Sequence, residues 1–176
     1  MPLFPDATAL IALGKANLLH LLPTYAEPVS IGPRVRAEVI RSARQVDAAI
    51  ATHAIRVVEV DPADVFALET WLSLDTGEAE VIALAAQRGG NHPHVLVDEN
   101  HAFRVIRLAF PGFRVSCLAH VLHAFEAAGT ITAAESVLRV LLADGSYGWA
   151  RQVRQDYERW CLDHGIAPLP IHSDET

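Results

Sequence analysis

Short apolar segments alternate along this chain with longer stretches of helical periodicity, and this alternation limits the possible folds more than any other feature. The short segments are residues 3–4, 29–31 and 95–97, and the helical stretches that follow them are residues 10–22, 35–50 and 103–108. Parallel strands need long crossover connections, which are usually helices. The pattern therefore predicts an α/β domain with a central parallel sheet.

Four acidic positions lie at or near the edge of an apolar stretch, either a short segment or a helical one. These residues are Asp6, Glu38, Glu78 or Glu80, and Asp98. In open α/β sheets, ligands bind beyond the carboxyl ends of the strands. Because Asp6 and Asp98 follow predicted strands, and Glu38 lies in the first turns of a predicted helix, we expect the sheet to gather these acids at one end.

Several carboxylates packed together repel one another, and a divalent cation removes that repulsion. Mg²⁺ and Mn²⁺ prefer oxygen ligands, and Mg²⁺ usually retains several waters, so a few carboxylates are enough to hold it. The pattern therefore predicts a Mg²⁺ or Mn²⁺ site, with Asp6, Glu38, Glu78 or Glu80, and Asp98 as ligands and catalytic acids. Such a site suits phosphodiester hydrolysis.

The local sequence also offers each acid an ordinary structural role. Asp6 is placed to cap a helix, and Glu38 is placed to pair with arginines three or four residues away. Glu78 has the spacing of a capping box with Asp75. Since Glu78 and Glu80 point about 200° apart on a helix, we expect one of them to face the site, and Glu78 fits the spacing better.

The length and composition indicate one packed domain. The chain has 176 residues, of which 51% are hydrophobic and 20% charged, which is typical of a globular protein. We assign residues 1–148 to the main domain, including a C-terminal pair of helices, and residues 149–176 to a last helix and a flexible tail. The tail contains Pro168, Pro170, Asp174 and Glu175 and lacks an apolar period.

No apolar run approaches the roughly 20 residues that span a bilayer, and the N-terminus lacks the pattern of a signal peptide. We therefore expect a cytoplasmic protein without a membrane partner. Cys117 and Cys161 are too few for a disulfide framework and lack a metal-binding spacing, so we expect two packed, reduced thiols.

The net charge of −7 argues against an extensive nucleic-acid surface. Arginines nevertheless surround two of the acids. Around Glu38 are Arg34, Arg36, Arg41 and Arg44, and after Asp98 come Arg104 and Arg107. This distribution is compatible with a basic rim around an acidic centre, which would suit a polynucleotide, and equally with solvated helix faces.

Four motifs in order carry a resemblance to a known family. They are Asp6-Ala7-Thr8-Ala9-Leu10-Ile11, Val29-Ser30-Ile31 with Val35 to Val39, Gly77-Glu78-Ala79-Glu80-Val81, and Val95-Leu96-Val97-Asp98-Glu99. With this order and spacing the chain resembles the PIN-domain nucleases, especially the prokaryotic branch that includes virulence-associated (VapC-type) toxins. A later stretch, Gly129-Thr130-Ile131 followed by Val137, Val140 and Leu141, is similar to the C-terminal helical pair of that branch.

The resemblance implies a three-layer α/β/α fold, a Mg²⁺- or Mn²⁺-dependent site and cleavage of single-stranded RNA. It also implies a homodimer and, for the toxin branch, an antitoxin partner. In this chain Asp6, Glu38, Glu78 or Glu80, and Asp98 correspond to the family's metal-site acids. Thr8 matches its hydroxyl residue, which would orient a carboxylate or a water, and Asn100 is a second candidate for this supporting role.

Two other functions remain open at this stage. The first is a non-catalytic interaction protein with the same fold, which acts through a partner. The second is a zinc protein that uses histidines, although their spacing matches no recognised zinc motif. These histidines are His92, His94, His101, His120 and His123, of which we expect His120 and His123 at a helix surface or a dimer interface.

Overall fold

A computed structural model of the protein describes residues 1–40, 42–145 and 147–169. It contains five short strands, β1 to β5, in chain order. They are β1 (Leu3–Pro5), β2 (Ser30–Ile31), β3 (Arg56–Val57), β4 (His94–Leu96) and β5 (Arg114–Ser116). All the strand pairs among the described residues are parallel, so the predicted parallel sheet is confirmed.

The sheet has two parts that meet at β1. One part has the strand order β1-β4-β5, in which Phe4 lies opposite Val95 and Val95 opposite Val115. The other part is the β2-β3 pair. A bridge between Leu3 and Val29 joins the two parts, which gives the spatial order β3-β2-β1-β4-β5.

Helices fill the connections between the strands and cover the sheet. In the described residues they are α1 (Ala7–Lys15), α2 (Leu22–Tyr25), α3 (Pro33–Glu38), α4 (Ala43–Ala51), α5 (Pro62–Leu72), α6 (Thr76–Arg88), α7 (Asn100–Ala109), α8 (Leu118–Ala127), α9 (Ala134–Ala143) and α10 (Arg151–His164). A short 3-10 helix spans Leu19–Leu21. A parallel sheet flanked by helices confirms the predicted α/β class.

Burial follows the sequence pattern closely in the central strands. All three residues of β1 and all three of β4 are buried, as expected for strands covered on both faces. Helix α6 contributes a nearly continuous buried stretch from Ala79 to Ala85. This packing fixes the first turn of α6 beside the end of β1, where several acids meet.

The predicted helix over residues 35–50 is interrupted in the structure. Helix α3 ends at Glu38, because Val39 leaves helical geometry with φ −77° and ψ 57°. The buried Ser42 hydroxyl then donates to the Ile11 carbonyl at 3.0 Å and ties the turn to α1. Glu38 consequently lies at the end of a short helix and not in the first turns of a long one.

Helix α10 packs onto the domain and buries its aromatic side chains. Tyr157 is fully buried, and its hydroxyl lies 2.6 Å from His123 Nε2. His120 lies against Tyr157 and Trp160. The predicted helix-surface position is therefore wrong for His120, which is buried under α10, whereas His123 is half-buried beside Tyr157. A dimer-interface position stays a prediction.

Other predictions for this end of the chain have separate outcomes. Cys117 and Cys161 are free and buried, as expected. The predicted flexible tail starts after Trp160, but α10 continues to His164, and Leu169 is buried with its amide donating to the Tyr157 hydroxyl at 2.9 Å. Residues 170–176, including Pro170, lie outside the described residues. Across residues 1–40, 42–145 and 147–169, the structure has no helix long and apolar enough to cross a membrane.

Candidate active site

A cleft of about 290 Å³ opens beyond the carboxyl end of β1. The residues that line it are Asp6, Ala7, Thr8, Glu38, Asp75, Gly77, Glu78 and Glu99. Five of these eight residues are acidic, and none of the lining residues in the described part of the chain is lysine or arginine. We call this feature the acidic cleft.

Asp6 joins the end of β1 to the start of α1. Its Oδ1 accepts a hydrogen bond from the Ala9 amide at 2.7 Å, so it caps the helix. Its Oδ2 accepts from the Asp98 amide at 3.3 Å. Burial, followed by repulsion from the Asp98 carboxylate, raises the pKa of Asp6 well above its ordinary value. Asp6 is therefore both a cap and a member of the acidic cleft.

Asp98 lies behind Asp6 and does not line the cleft. Only 1% of its surface is exposed. The Leu118 amide donates to both its carboxylate oxygens, at 3.1 and 3.2 Å, and the Tyr147 hydroxyl donates to Oδ1. Burial raises the pKa of Asp98 to about 6. In this structure Asp98 contacts Asp6 through its backbone amide, and its role as a metal ligand stays a prediction.

Glu99, the next residue, is the acid that enters the cleft from this segment. From the sequence, Glu99 could hold a second metal or a water, although an ordinary polar loop residue is the favoured interpretation. In the structure Glu99 lies beyond β4 at the N-cap position of α7, with φ −84° and ψ 134°, and is exposed where Asp98 is buried. The adjacent pair of acids after an apolar strand was the available signal.

Glu38 reaches the cleft from the C-terminal end of α3. Its carboxylate lies against Gly77, where an added Cβ would stand 2.5 and 2.6 Å from its two oxygens. Glycine at this position therefore lets Glu38 approach the first turn of α6, where helix amides favour negative charge. Partial burial, and then the neighbouring acids Asp75, Glu80 and Glu78, raise the pKa of Glu38.

Glu78 and Asp75 line the same cleft from the start of α6. The Glu78 amide donates to Asp75 Oδ1 at 2.8 Å, and the Asp75 amide donates to Glu78 Oε2 at 3.1 Å. The predicted capping box is therefore present. Partial burial raises the pKa of Glu78, while its hydrogen bond from Asp75 opposes that effect.

Glu80 lies outside the acidic cleft, contrary to the metal role considered for it. Its two oxygens accept from the Arg34 and Val35 amides at 3.1 and 2.9 Å, and only 2% of the residue is exposed. Gly32 permits this approach, because a Cβ there would stand 2.0 Å from the Glu80 carboxyl carbon. Glu80 thus caps α3, and Glu78 is the acid of this pair that faces the cleft.

The two residues proposed to support the site are separated. Thr8 lines the cleft beside Asp6. Asn100 instead uses its Oδ1 to accept from the Gln152 amide at 3.0 Å, so it binds the start of α10. The structure brings only Thr8 to the acidic cleft.

The arginines considered as a basic rim have different surroundings. Arg36 pairs with Asp47 and not with Glu38, and Arg107 lies 3.6 Å from Asp156. Arg34 lines a neighbouring pocket that also contains Thr76 and Glu80. Arg44 lines a more distant pocket between the 3-10 helix and α4, Arg104 is exposed, and Arg41 lies outside the described residues.

The donor atoms of the cleft fit a hard divalent cation. Within the described ranges, no three histidine, cysteine, aspartate or glutamate side chains converge as a ready-made metal cage. Mg²⁺, however, is usually held by one or two carboxylates and several waters. The cleft offers carboxylate oxygens whose mutual repulsion and burial raise the pKa values of Asp6, Glu38 and Glu78.

Among the described residues, the histidines form no comparable group. His94 Nε2 lies 2.7 Å from the Ser116 hydroxyl, and His120 Nδ1 accepts from the Cys117 amide at 3.1 Å. His123 contacts Tyr157. Each side chain has a separate partner in the part of the chain that the structure describes, which leaves the zinc hypothesis without a histidine cluster.

These pKa directions predict how the stability of the metal-free protein depends on pH. A carboxyl whose pKa is higher in the folded than in the unfolded chain binds protons more tightly when folded, so its ionisation destabilises the fold. For Asp98, the window runs from the ordinary value of 3.8 to about 6. We expect the contribution of Asp98 to the free energy of unfolding to rise by about 1 kcal/mol from about pH 7 to about pH 5. The buried His94 and His120 act in the opposite direction over this range, because burial lowers their pKa values to about 3 and about 4, so the effect of Asp98 is read as a difference between variants.

Urea denaturation in the presence of EDTA measures this effect. The Asp98→Asn variant serves as the reference, because it lacks the titrating carboxyl but keeps His94 and His120. The unfolding free energy of the wild type minus that of Asp98→Asn should rise by about 1 kcal/mol from about pH 7 to about pH 5. A difference that stays constant or falls over this range would contradict the raised pKa of Asp98.

Comparison with known proteins bears directly on this site. No curated protein and no solved structure gives a significant match to the chain. The sequence model of the DUF3368 family, described as a PIN domain, matches residues 4–158. The matched segment includes every residue that lines the acidic cleft, and PIN domains are generally nucleases. Because this match covers most of the chain, the chain belongs to the DUF3368 family of PIN domains.

Proposed function

We propose that this protein is a Mg²⁺- or Mn²⁺-dependent endoribonuclease that hydrolyses phosphodiester bonds in single-stranded RNA. The observation that carries the proposal is the acidic cleft, in which five acidic residues meet at the carboxyl end of β1. Membership of the PIN-domain class supports a nuclease activity. RNA as the substrate and the requirement for a metal go beyond this support and are part of the proposal.

The residues that would hold the cation are Asp6, Glu38 and Glu78, with Glu99 beside them. When bound there, the cation would supply charge neutralisation at the phosphate and a lowered pKa for a coordinated water. Asp98 orients Asp6 through its backbone amide, and the Gly77 backbone leaves room for Glu38. Thr8 lines the cleft, and its hydroxyl would hold a water by hydrogen bonding.

A neighbouring pocket of about 470 Å³ offers a path for the rest of the polynucleotide. Thr76 lines this pocket, whereas its sequence neighbours Asp75 and Gly77 line the acidic cleft. Arg34, the exposed Phe66 and three glutamates, Glu59, Glu69 and Glu80, also line the pocket. An arginine and an aromatic ring would suit a phosphate and a stacked base, respectively, whereas the glutamates would repel a phosphate.

We further propose that the protein is the toxin of a toxin–antitoxin pair and forms a homodimer. This part of the proposal follows from the resemblance to the VapC-type branch. Light scattering of the purified chain tests the dimer. Expression with and without the neighbouring reading frames tests the toxin role, since growth arrest relieved by a co-expressed neighbour is the expected result.

The test of the nuclease function is cleavage of an end-labelled pool of mixed single-stranded RNA by the purified protein. We expect cutting with Mn²⁺ or Mg²⁺, no cutting with EDTA, and recovery when metal is restored. A folded protein that cuts no member of the pool under any of these conditions would contradict the proposal.

A second function is a non-catalytic interaction protein with the same fold. The absence of a ready-made metal cage among the described residues favours it, as do the several hydrogen bonds that Asp98 already accepts. Titration with Mn²⁺ separates the two functions. Saturable binding that is lost in Asp6→Asn argues for the nuclease, and no binding argues for the interaction protein.

A further inference from the structure

Tyr147 reaches the acids from a distant part of the chain. It lies between α9 and α10, and only 4% of its surface is exposed. Its hydroxyl donates a hydrogen bond to Asp98 Oδ1, across 49 residues of sequence. Through this contact the described C-terminal part of the chain reaches Asp98 directly.

Asp98 connects Tyr147 to the acidic cleft. Its carboxylate is held on one side by the Leu118 amide at the start of α8 and on the other by Tyr147. Its own backbone amide donates to Asp6 Oδ2 at 3.3 Å, and the next residue, Glu99, lines the cleft. The position of the Asp98 carboxylate therefore bears on two acids that do line the cleft.

The chemistry of the pair favours a fixed hydrogen bond. Burial, followed by the charge of Asp98, raises the pKa of the Tyr147 hydroxyl well above its ordinary value. The hydroxyl consequently stays protonated and acts as a donor. Without it, Asp98 Oδ1 would retain the Leu118 amide as its partner and lose the contact that holds it from the C-terminal side.

We propose that Tyr147 is a positioning residue of the active site, which fixes Asp98 and, through it, Asp6 and Glu99 in the acidic cleft. The proposal rests on the nuclease function proposed above. Residues 147–169 then serve the site as well as the fold, a view that the bond from the Gln152 amide to Asn100 also supports, because Asn100 follows Glu99 directly.

The test compares Tyr147→Phe with Tyr157→Phe. Tyr157 is the matched control, because it is an equally buried tyrosine of the same segment whose hydroxyl contacts His123 and the Leu169 amide, not an acid. Three quantities are measured for both variants and the wild type: the dissociation constant for Mn²⁺ by calorimetry, kcat and KM for RNA cleavage, and the midpoint of urea denaturation.

Loss of a residue that orients a metal ligand typically costs about 10- to 100-fold in metal affinity or activity. We expect Tyr147→Phe to weaken Mn²⁺ binding and lower kcat within about that range while KM for RNA is unchanged. Tyr157→Phe should keep the wild-type Mn²⁺ affinity and kcat, even if its denaturation midpoint falls by more than that of Tyr147→Phe.

Comparable Mn²⁺ affinity and kcat in Tyr147→Phe and Tyr157→Phe would overturn the positioning role while leaving the nuclease function intact. A wild-type protein that neither binds Mn²⁺ nor cuts RNA would overturn both. A second variant covers the case in which Tyr147→Phe unfolds. Asp98→Ala removes the acceptor of the Tyr147 hydroxyl and leaves the tyrosine in place, so it should also weaken Mn²⁺ binding, and a wild-type Mn²⁺ affinity in this variant would contradict the proposal.

Discussion

Replacement of Asp6 by asparagine is expected to reduce metal-dependent RNA cleavage by at least about 100-fold and to leave the protein folded. Asparagine keeps the size of the side chain and can still accept from the Ala9 amide. It cannot supply the negative charge that a cation in the cleft requires. The measurement is the initial rate of cleavage at saturating Mn²⁺, with folding checked by circular dichroism.

The stability of Asp6→Asn should stay close to that of the wild type. Of the two hydrogen bonds that Asp6 accepts, asparagine keeps one, and a lost hydrogen bond costs about 1 kcal/mol. Removal of a buried charge that Asp98 repels offsets this cost. We therefore expect a change in unfolding free energy within about 1 kcal/mol.

Asp61→Asn is the matched control for this experiment. Asp61 also caps a helix, α5, and accepts from the Ala63 amide at 2.9 Å, but it is exposed and does not line the cleft. Its replacement should leave cleavage unchanged. Full activity in Asp6→Asn, or an equal loss in Asp61→Asn, would contradict the role given to Asp6.

Glu80→Ala is expected to be the most destabilising of the single changes at the acids, with a loss of about 3 kcal/mol of unfolding free energy. The change leaves the amides of Arg34 and Val35 without their acceptors at the buried start of α3. It also opens a cavity where the side chain packed against Gly32. Urea denaturation measures the loss.

Glu78→Ala, two residues earlier, provides the comparison. Glu78 is only partly buried, and loss of its capping contact to Asp75 should cost about 1 kcal/mol. The effects on cleavage should have the opposite order, because Glu78 lines the cleft and Glu80 does not. At a temperature where both variants are folded, a larger loss of kcat in Glu80→Ala than in Glu78→Ala would contradict the placement of these acids.

The sequence was sufficient to predict the sheet and the position of Asp6. A short apolar segment followed by an acid and a helical period is a local pattern, and parallel strands bring such positions to one end. The same pattern could not decide between Glu78 and Glu80. Helical spacing shows only that the two diverge, whereas the amides of α3 that receive Glu80 belong to a segment more than 40 residues away.

Asp98 and Glu99 illustrate a second limit of sequence reasoning. Both follow the apolar residues 95–97, and an acid in that position predicts a metal ligand. The structure buries Asp98 because Leu118 and Tyr147 supply donors to it, and it leaves Glu99 in the cleft. Those donors come from distant parts of the chain and have no local signal.

The break between α3 and α4 shows the same dependence on tertiary contacts. The apolar period of residues 35–50 continues through the break, and therefore predicts one helix. Ser42 instead binds the carbonyl of Ile11 in α1, and Glu38 ends α3 beside Gly77. The interruption places Glu38 in the cleft, so the departure from the local pattern occurs at a candidate functional position.

Anomalous diffraction from a crystal soaked in Mn²⁺ tests whether the acidic cleft binds a divalent cation. We expect an anomalous peak in the cleft bounded by Asp6, Glu38 and Glu78, and loss of that peak in Asp6→Asn. A peak only at a histidine, or no peak in the cleft at Mn²⁺ concentrations that support cleavage, would contradict it.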